Sequence, residues 1–102
     1  MDRVSYHRLA RRELNETVQY YESESPGLGS AFLDEAVRCT QAIANFPEAG
    51  PLITETIRRR LLLRFPYALL YTIKSDQVRV LAVVGITRSG LSADRDREAD
   101  RE

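Results

Sequence analysis

The side chains with most chemistry to offer are three consecutive arginines, Arg58-Arg59-Arg60, followed by Arg64 and, further on, Arg88. A guanidinium is permanently charged and presents a planar fork that grips a carboxylate or a phosphate through two hydrogen bonds. If this segment is a strand, Arg58, Arg60, Leu62 and Arg64 share one face at steps of about 6.6–7 Å. That step suits successive phosphates of a nucleic acid, and it suits the carboxylates of an acidic peptide as well. Spacing alone does not choose between them, although a net charge of zero weighs against a dedicated nucleic-acid binder. Other chemistries find no residues to carry them. Pro26-Gly27-Leu28-Gly29 has no strand before it and no Gly-Lys-Ser/Thr after it, so it is not a phosphate-binding loop. There is no Gly-x-Ser-x-Gly elbow, and nothing orders Ser, His and Asp into a triad. One histidine, His7, and one cysteine, Cys39, cannot supply the usual tetrahedral zinc site, so neither metal nor cofactor is expected. His7 reads as a capping or solvated residue, Cys39 as a small core hydrophobe, and Glu13 and Glu16 as a solvated helix face. No catalytic residue emerges.

The elements that must position the arginines follow from the period of the apolar residues. Residues 2–6 form a short strand, with Val4 and Tyr6 on one face. Residues 8–23 take helical period, with Ala10, Leu14, Thr17, Val18 and Tyr21 on one stripe. The break at 25–29 joins this helix to a second, with Ser25 as a cap and Pro26 in the first turn. The second helix runs to about Phe46 on a stripe of Leu28, Phe32, Ala36, Cys39, Ile43 and Phe46, and Pro47 ends it. So short a connection predicts an antiparallel helical hairpin. After a loop at 48–54 the period becomes two. Residues 57–64, 67–73 and 78–85 read as three strands of an antiparallel meander, turned at Phe65-Pro66 and at Lys74-Ser75-Asp76-Gln77. In the last strand Val78, Val80, Ala82 and Val84 alternate against Arg79, Leu81 and Val83. Tyr67 and Tyr71 share a face and are expected in the core. The predicted class is α+β in the order β-α-α-β-β-β, a helical hairpin packed on a mainly antiparallel sheet. The hairpin can cover one sheet face. The other, with Leu or Val beside arginine, is expected to be left for a partner.

At 102 residues the chain has room for one domain, here residues 1–90. Residues 91–102 follow as a charged tail, read as frayed helix or disordered. Charge is unevenly spread along the chain. Residues 1–53 carry five arginines against eight acids, a net −3, while residues 54–90 carry seven basic groups against two acids, a net +5. No apolar run approaches membrane-spanning length and the opening residues lack a signal peptide's apolar stretch, so no membrane association and a cytoplasmic location are expected.

Several ordered strings then resemble the RelE/ParE toxin superfamily of type II toxin–antitoxin systems. They are Ala10-Arg11-Arg12-Glu13-Leu14, Tyr20-Tyr21-Glu22, Pro26-Gly27-Leu28-Gly29 with Phe32-Leu33, Phe46-Pro47, Ile57-Arg58-Arg59, Arg64-Phe65-Pro66-Tyr67 and Val80-Leu81-Ala82-Val83. The set spans about residues 4–88 and is nearest to the ParE-like, plasmid-stabilisation branch. The resemblance implies a toxin neutralised by a cognate antitoxin in a hetero-oligomer, with docking by strand addition or helix-in-groove. ParE-like members poison DNA gyrase by binding, and RelE-like members cleave mRNA on the ribosome. Many relatives carry a histidine after the last strand and then an Arg-rich segment ending in Pro-x-Tyr-Trp. Here Gly85 stands at the histidine position and a charged tail replaces the aromatic ending. RNA cleavage needs groups that shuttle protons and stabilise the phosphorane. Arginines meet only the second need, so the reading leans away from an enzyme. A RelE-like ribosome-dependent endoribonuclease and an inactive antitoxin-binding remnant stand as alternatives. Arg58, Arg60, Leu62, Arg64 and Arg88 are the expected antitoxin- or target-binding residues.

Overall fold

A computed structural model describes residues 4–87 and 90–91. The elements are β1 (Val4–Tyr6), α1 (Arg8–Glu24), α2 (Leu28–Asn45), β2 (Ile57–Leu61), β3 (Tyr67–Lys74), β4 (Gln77–Thr87) and β5 (Gly90–Leu91). The sheet order is β1-β4-β3-β2, with β1 parallel to β4 and the other neighbours antiparallel. The predicted class and element order therefore hold. One further strand, β5, folds back on the end of β4. The Arg88 expectation and residues 92–102 of the tail lie outside the described residues.

Both helices bury the stripe their period predicts. Ala10 and Leu14 of α1 and Phe32, Ala36, Cys39 and Ile43 of α2 close on Leu69, Tyr71, Val78, Val80 and Val83 of the sheet. His7 is the N-cap of α1, its Nδ1 accepting the Leu9 N–H at 3.0 Å, as the capping reading expects. The junction between the helices differs from expectation. Ser25 ends α1, donating its backbone N–H to Tyr21, and Gly27 at φ 90° starts α2 with no cap of its own. A left-handed residue there cannot be helical, so the helix begins at Leu28 instead of at Pro26. Glu22, reaching back from α1, supplies the missing cap by accepting the N–H of Gly27 at 2.9 Å and of Gly29 at 2.9 Å. At the far end, Phe46 falls past the last helical turn and is exposed instead of joining the core.

The regular alternation expected for β4 is broken. Register slips between Leu70 and Tyr71, so Tyr71 faces Val80 while Leu70 faces Ala82, and Leu81 is the extra residue. A bulge inverts parity beyond it. Val78, Val80 and Val83 therefore face the helices, while Ala82 and Val84 face the other side. The Val83 N–H beside the bulge is taken by Glu13 Oε1 at 2.8 Å. Glu13 is thus turned to the sheet and is not part of a solvated face. Ser75 and Asp76, at φ 51° and 70°, make the two-residue turn between β3 and β4, the type I′ geometry that matches strand twist.

Candidate functional site

The arginines occupy β2, an edge strand, and their directions follow from its register. Arg58 pairs with Tyr71 and Arg60 with Leu69, both on the helix side of β3, while Arg59 pairs with Leu70 on the opposite side. Arg58 and Arg60 therefore share a face as expected, but it is the face on which the helices pack. Leu62 is 6% exposed and joins the main core. Leu62 continues the alternation of Arg58 and Arg60 on that helix-packed face, its N–H still donating to the Tyr67 carbonyl at 2.9 Å, so it is core and not a contact surface. Arg64, exposed in the following loop, lies 6.0 Å from the centroid of Phe65.

These guanidinium groups are committed unequally. Arg58 Nη1 donates to the carbonyls of Gly50 at 2.7 Å and Glu48 at 3.0 Å. Tyr71, fully buried, donates its hydroxyl to the Pro47 carbonyl at 2.7 Å. Together they hold the loop between α2 and β2 against the sheet. A Cβ on Gly50 would meet the Arg59 carbonyl at 2.5 Å and the Tyr71 hydroxyl at 2.6 Å. Only glycine lets the loop lie this close. The guanidinium groups of Arg59, Arg60 and Arg64 make no hydrogen bond or ion pair among the described residues. The ion pairs found there are Arg12 with Glu16 and Arg38 with Glu35.

The apolar surface is also placed differently from expectation. The sheet face away from the helices is not bare, because Ala68, Leu70, Ala82 and Val84 are buried there with Ile57 and Ile86 packed on them. Large apolar side chains are exposed along β2 and its loops, Leu61 at 49%, Leu63 at 87%, Leu52 at 52% and Phe46 at the end of α2, and on the helices at Leu9, Tyr20, Leu33 and Val37. Between α2 and the end of β2 lies a cavity of about 220 Å³ lined by Arg38, Cys39, Ala42, Arg60, Leu61 and Leu63, with Glu35 at its side. Glu35, 3% exposed, accepts the Leu63 N–H at 2.7 Å. A second, shallower hollow of about 560 Å³ at the β3–β4 turn is lined by Ser5, Thr72, Lys74 and Arg79, among others.

Burial pushes the Cys39 thiol up to about 11, partly offset by Arg60, which leaves it a protonated core residue. Burial likewise raises Tyr71 and Tyr21. Tyr21 sits with Phe32, Phe65 and Tyr67 in an aromatic cluster whose ring centroids lie 5.0–6.2 Å apart. Gly85 lies opposite Tyr67 in the sheet. Among the described residues no three His, Cys, Asp or Glu side chains come together as a metal site. No described helix is long and apolar enough to cross a membrane.

Comparison with known proteins bears on this geometry. Residues 4–88 match a family model described as the ParE toxin of the type II toxin–antitoxin system parDE. A solved chain titled "Chromosomal ParDE TA system from P. aeruginosa" superposes with a TM-score of 0.75 at 16% identity, covering 85% of this chain and 98% of that one. At that identity the likeness speaks to the fold. No curated protein matches the chain significantly.

Proposed function

We propose, since the chain belongs to the ParE toxin family, that it is the toxin of a type II toxin–antitoxin pair. It acts in the cytoplasm by binding a target such as DNA gyrase, and a cognate antitoxin neutralises it. Arg60, Arg64 and Arg88 are the target- or antitoxin-binding residues of this proposal, while Arg58 serves chiefly to hold the loop. The observation that carries a binding mode over bond cleavage is the pairing of unspent guanidinium groups with exposed leucines on one strand edge. Arg59, Arg60 and Arg64 lack carboxylate partners among the described residues, and Leu61 and Leu63 stand beside them. Such an edge suits a polypeptide partner. A phosphodiester cleavage site needs in addition a group that gives or takes a proton near pH 7. Beside Arg60, Cys39 is held protonated by burial, and Glu35 is engaged by the Leu63 N–H and by Arg38.

The test is a supercoiling assay with purified gyrase and the full chain, alongside induced expression in a bacterial host. Loss of supercoiling and growth arrest, both reversed by the antitoxin, are expected. Unaffected supercoiling at micromolar excess overturns the gyrase target. Cleavage of A-site codons in a toeprint of translating ribosomes would replace binding with RNA cleavage.

A further inference from the structure

A second group of cations stands apart from β2, around the turn between β3 and β4. Val4, Tyr6, Tyr71, Ile73, Val78 and Val80 all pack on the helix side of the sheet. Alternation therefore turns Ser5, Thr72, Lys74 and Arg79 to the opposite side. The register sets Arg79 between Ser5 of β1 and Thr72 of β3. Lys74 pairs with Gln77, which makes it the diagonal neighbour of Arg79, about 7–8 Å away. Like charges at that separation repel, and an anion between them removes the repulsion. Neither cation has a carboxylate partner among the described residues, and Asp76, two residues from Lys74 in the turn, pairs with neither.

These side chains border the hollow of about 560 Å³. That volume falls within the range of small-molecule sites, and a bare inorganic anion would leave most of it empty. The donors inside it are specific. Arg79 Nη1 donates to Ser5 Oγ at 3.3 Å, which steadies the guanidinium at one wall and leaves the Ser5 proton free to give. Ser75, in the turn, offers a second hydroxyl. Thr72 spends its proton on the Thr56 carbonyl at 2.9 Å, so it serves as wall and not as donor. Leu81, the extra residue of the β4 bulge, closes the hollow with an apolar side. A carboxylate, with one charge, answers one of the two cations. A phosphomonoester near pH 7 carries nearly two negative charges and three acceptor oxygens, enough for both cations and both hydroxyls. A nucleic-acid strand fits less well, because its singly charged phosphates call for a run of cations, and here two stand beside Asp76 on a chain of zero net charge.

We propose that the hollow at the β3–β4 turn binds a small organic phosphomonoester, up to the size of a mononucleotide, with its phosphate held by Lys74 and Arg79 and its organic part against Leu81. The site lies on the sheet face away from the helices and does not depend on the toxin reading.

The test titrates the full ¹⁵N-labelled chain with phenyl phosphate, inorganic phosphate, methyl phenyl phosphate (a diester with one charge) and a thymidine octanucleotide with a free 5′-hydroxyl. Phenyl phosphate should bind with a Kd of about 1 mM or below, its amide shifts centred on Ser5, Ser75 and Arg79. Inorganic phosphate and the diester should bind at least about tenfold more weakly at the same residues. Arg79→Gln and Lys74→Gln should each weaken phenyl phosphate by about tenfold. Both side chains are exposed, so the melting temperature should stay unchanged. Leu81→Ala should remove the advantage of phenyl over inorganic phosphate. Should that variant fold poorly, phenyl against methyl phosphate on the parent chain reads the same wall, and equal affinities would count against it. Shifts centred on Arg58–Arg60, undiminished affinity in both glutamine variants, or no shift at 10 mM phenyl phosphate overturn the proposal. So does an octanucleotide that binds the hollow as tightly as phenyl phosphate, since the site would then read a nucleic-acid backbone.

Discussion

Arg58 and Arg60 lie two residues apart on one face of one strand, yet they do different work. Arg58 spends its guanidinium on two loop carbonyls, while the Arg60 guanidinium lines the cavity beside α2 with no hydrogen bond among the described residues. Arg58→Ala should therefore cost about 1–2 kcal/mol of stability, since it leaves two carbonyls without a charged donor. Arg60→Ala should stay within about 0.5 kcal/mol. Urea unfolding of the two variants measures the contrast, and equal losses would place both arginines in the scaffold. The same strand faces Cys39, whose thiol is raised to about 11 from 9.0 by burial. With the folded value above the unfolded one, this group favours the fold fully below pH 9. The contribution is lost as pH climbs from about 9 through about 11. Cys39→Ala should accordingly lose less stability than the parent chain across that interval, a difference that thermal melts at pH 8 and pH 10.5 would read out.

At the scale of elements, helix stripes and strand order were legible in the sequence because a period of 3.6 or 2 leaves a mark on every turn or pair. Phe32, Ala36, Cys39 and Ile43 are buried as their spacing requires. What was not legible are the places where one element answers a defect in another. The bulge at Leu81 shifts β4 by one residue and exchanges the faces of Ala82, Val83 and Val84. No local sequence feature marks it, because all of these side chains are apolar and either parity buries them. Glu13 could not be assigned to the bulge either, since its partner, Val83, lies 70 residues away. The edge site was partly legible. Three arginines in a strand were plain, but which of them the α2–β2 loop would occupy depended on Gly50 and Tyr71, and those contacts leave no spacing signature. Glu13→Ala should expose the cost of the bulge by leaving the Val83 N–H unsatisfied, about 1–3 kcal/mol, visible as faster amide exchange in β4. Gly29→Ala tests the helix crossing in the same way. Its Cβ would meet the Val18 carbonyl at 2.5 Å and Glu22 at 2.9 Å, so the helices must part, and a lowered Tm with a weakened Glu22 cap is expected.

For the whole molecule, the decisive quantity is where charge is left uncompensated, and the overall balance hides it. The formal net charge is zero, yet among the described residues the carboxylates with named roles are mostly committed elsewhere. Glu13 and Glu22 hold backbone N–H groups at the bulge and at the start of α2. Glu35 holds Leu63 and pairs with Arg38, and Glu16 pairs with Arg12. These acids of the helical half are thus used within that half, and Arg59 and Arg60 of β2 have no carboxylate partner among the described residues. Among the described residues this division leaves positive charge concentrated at β2, and a field of that sign acts first on the rate of encounter with an acidic partner. Association with an acidic partner segment should be fast at low salt and slow by about tenfold or more between 50 and 500 mM salt, as the Debye length shrinks from over ten ångströms to a few. Dissociation, governed by the apolar contacts at Leu61 and Leu63, should change far less. Stopped-flow measurement of both rates with the cognate antitoxin separates the two contributions. An association rate insensitive to salt would mean that the arginines do not steer the partner, and that the apolar edge at Leu61 and Leu63 alone selects it.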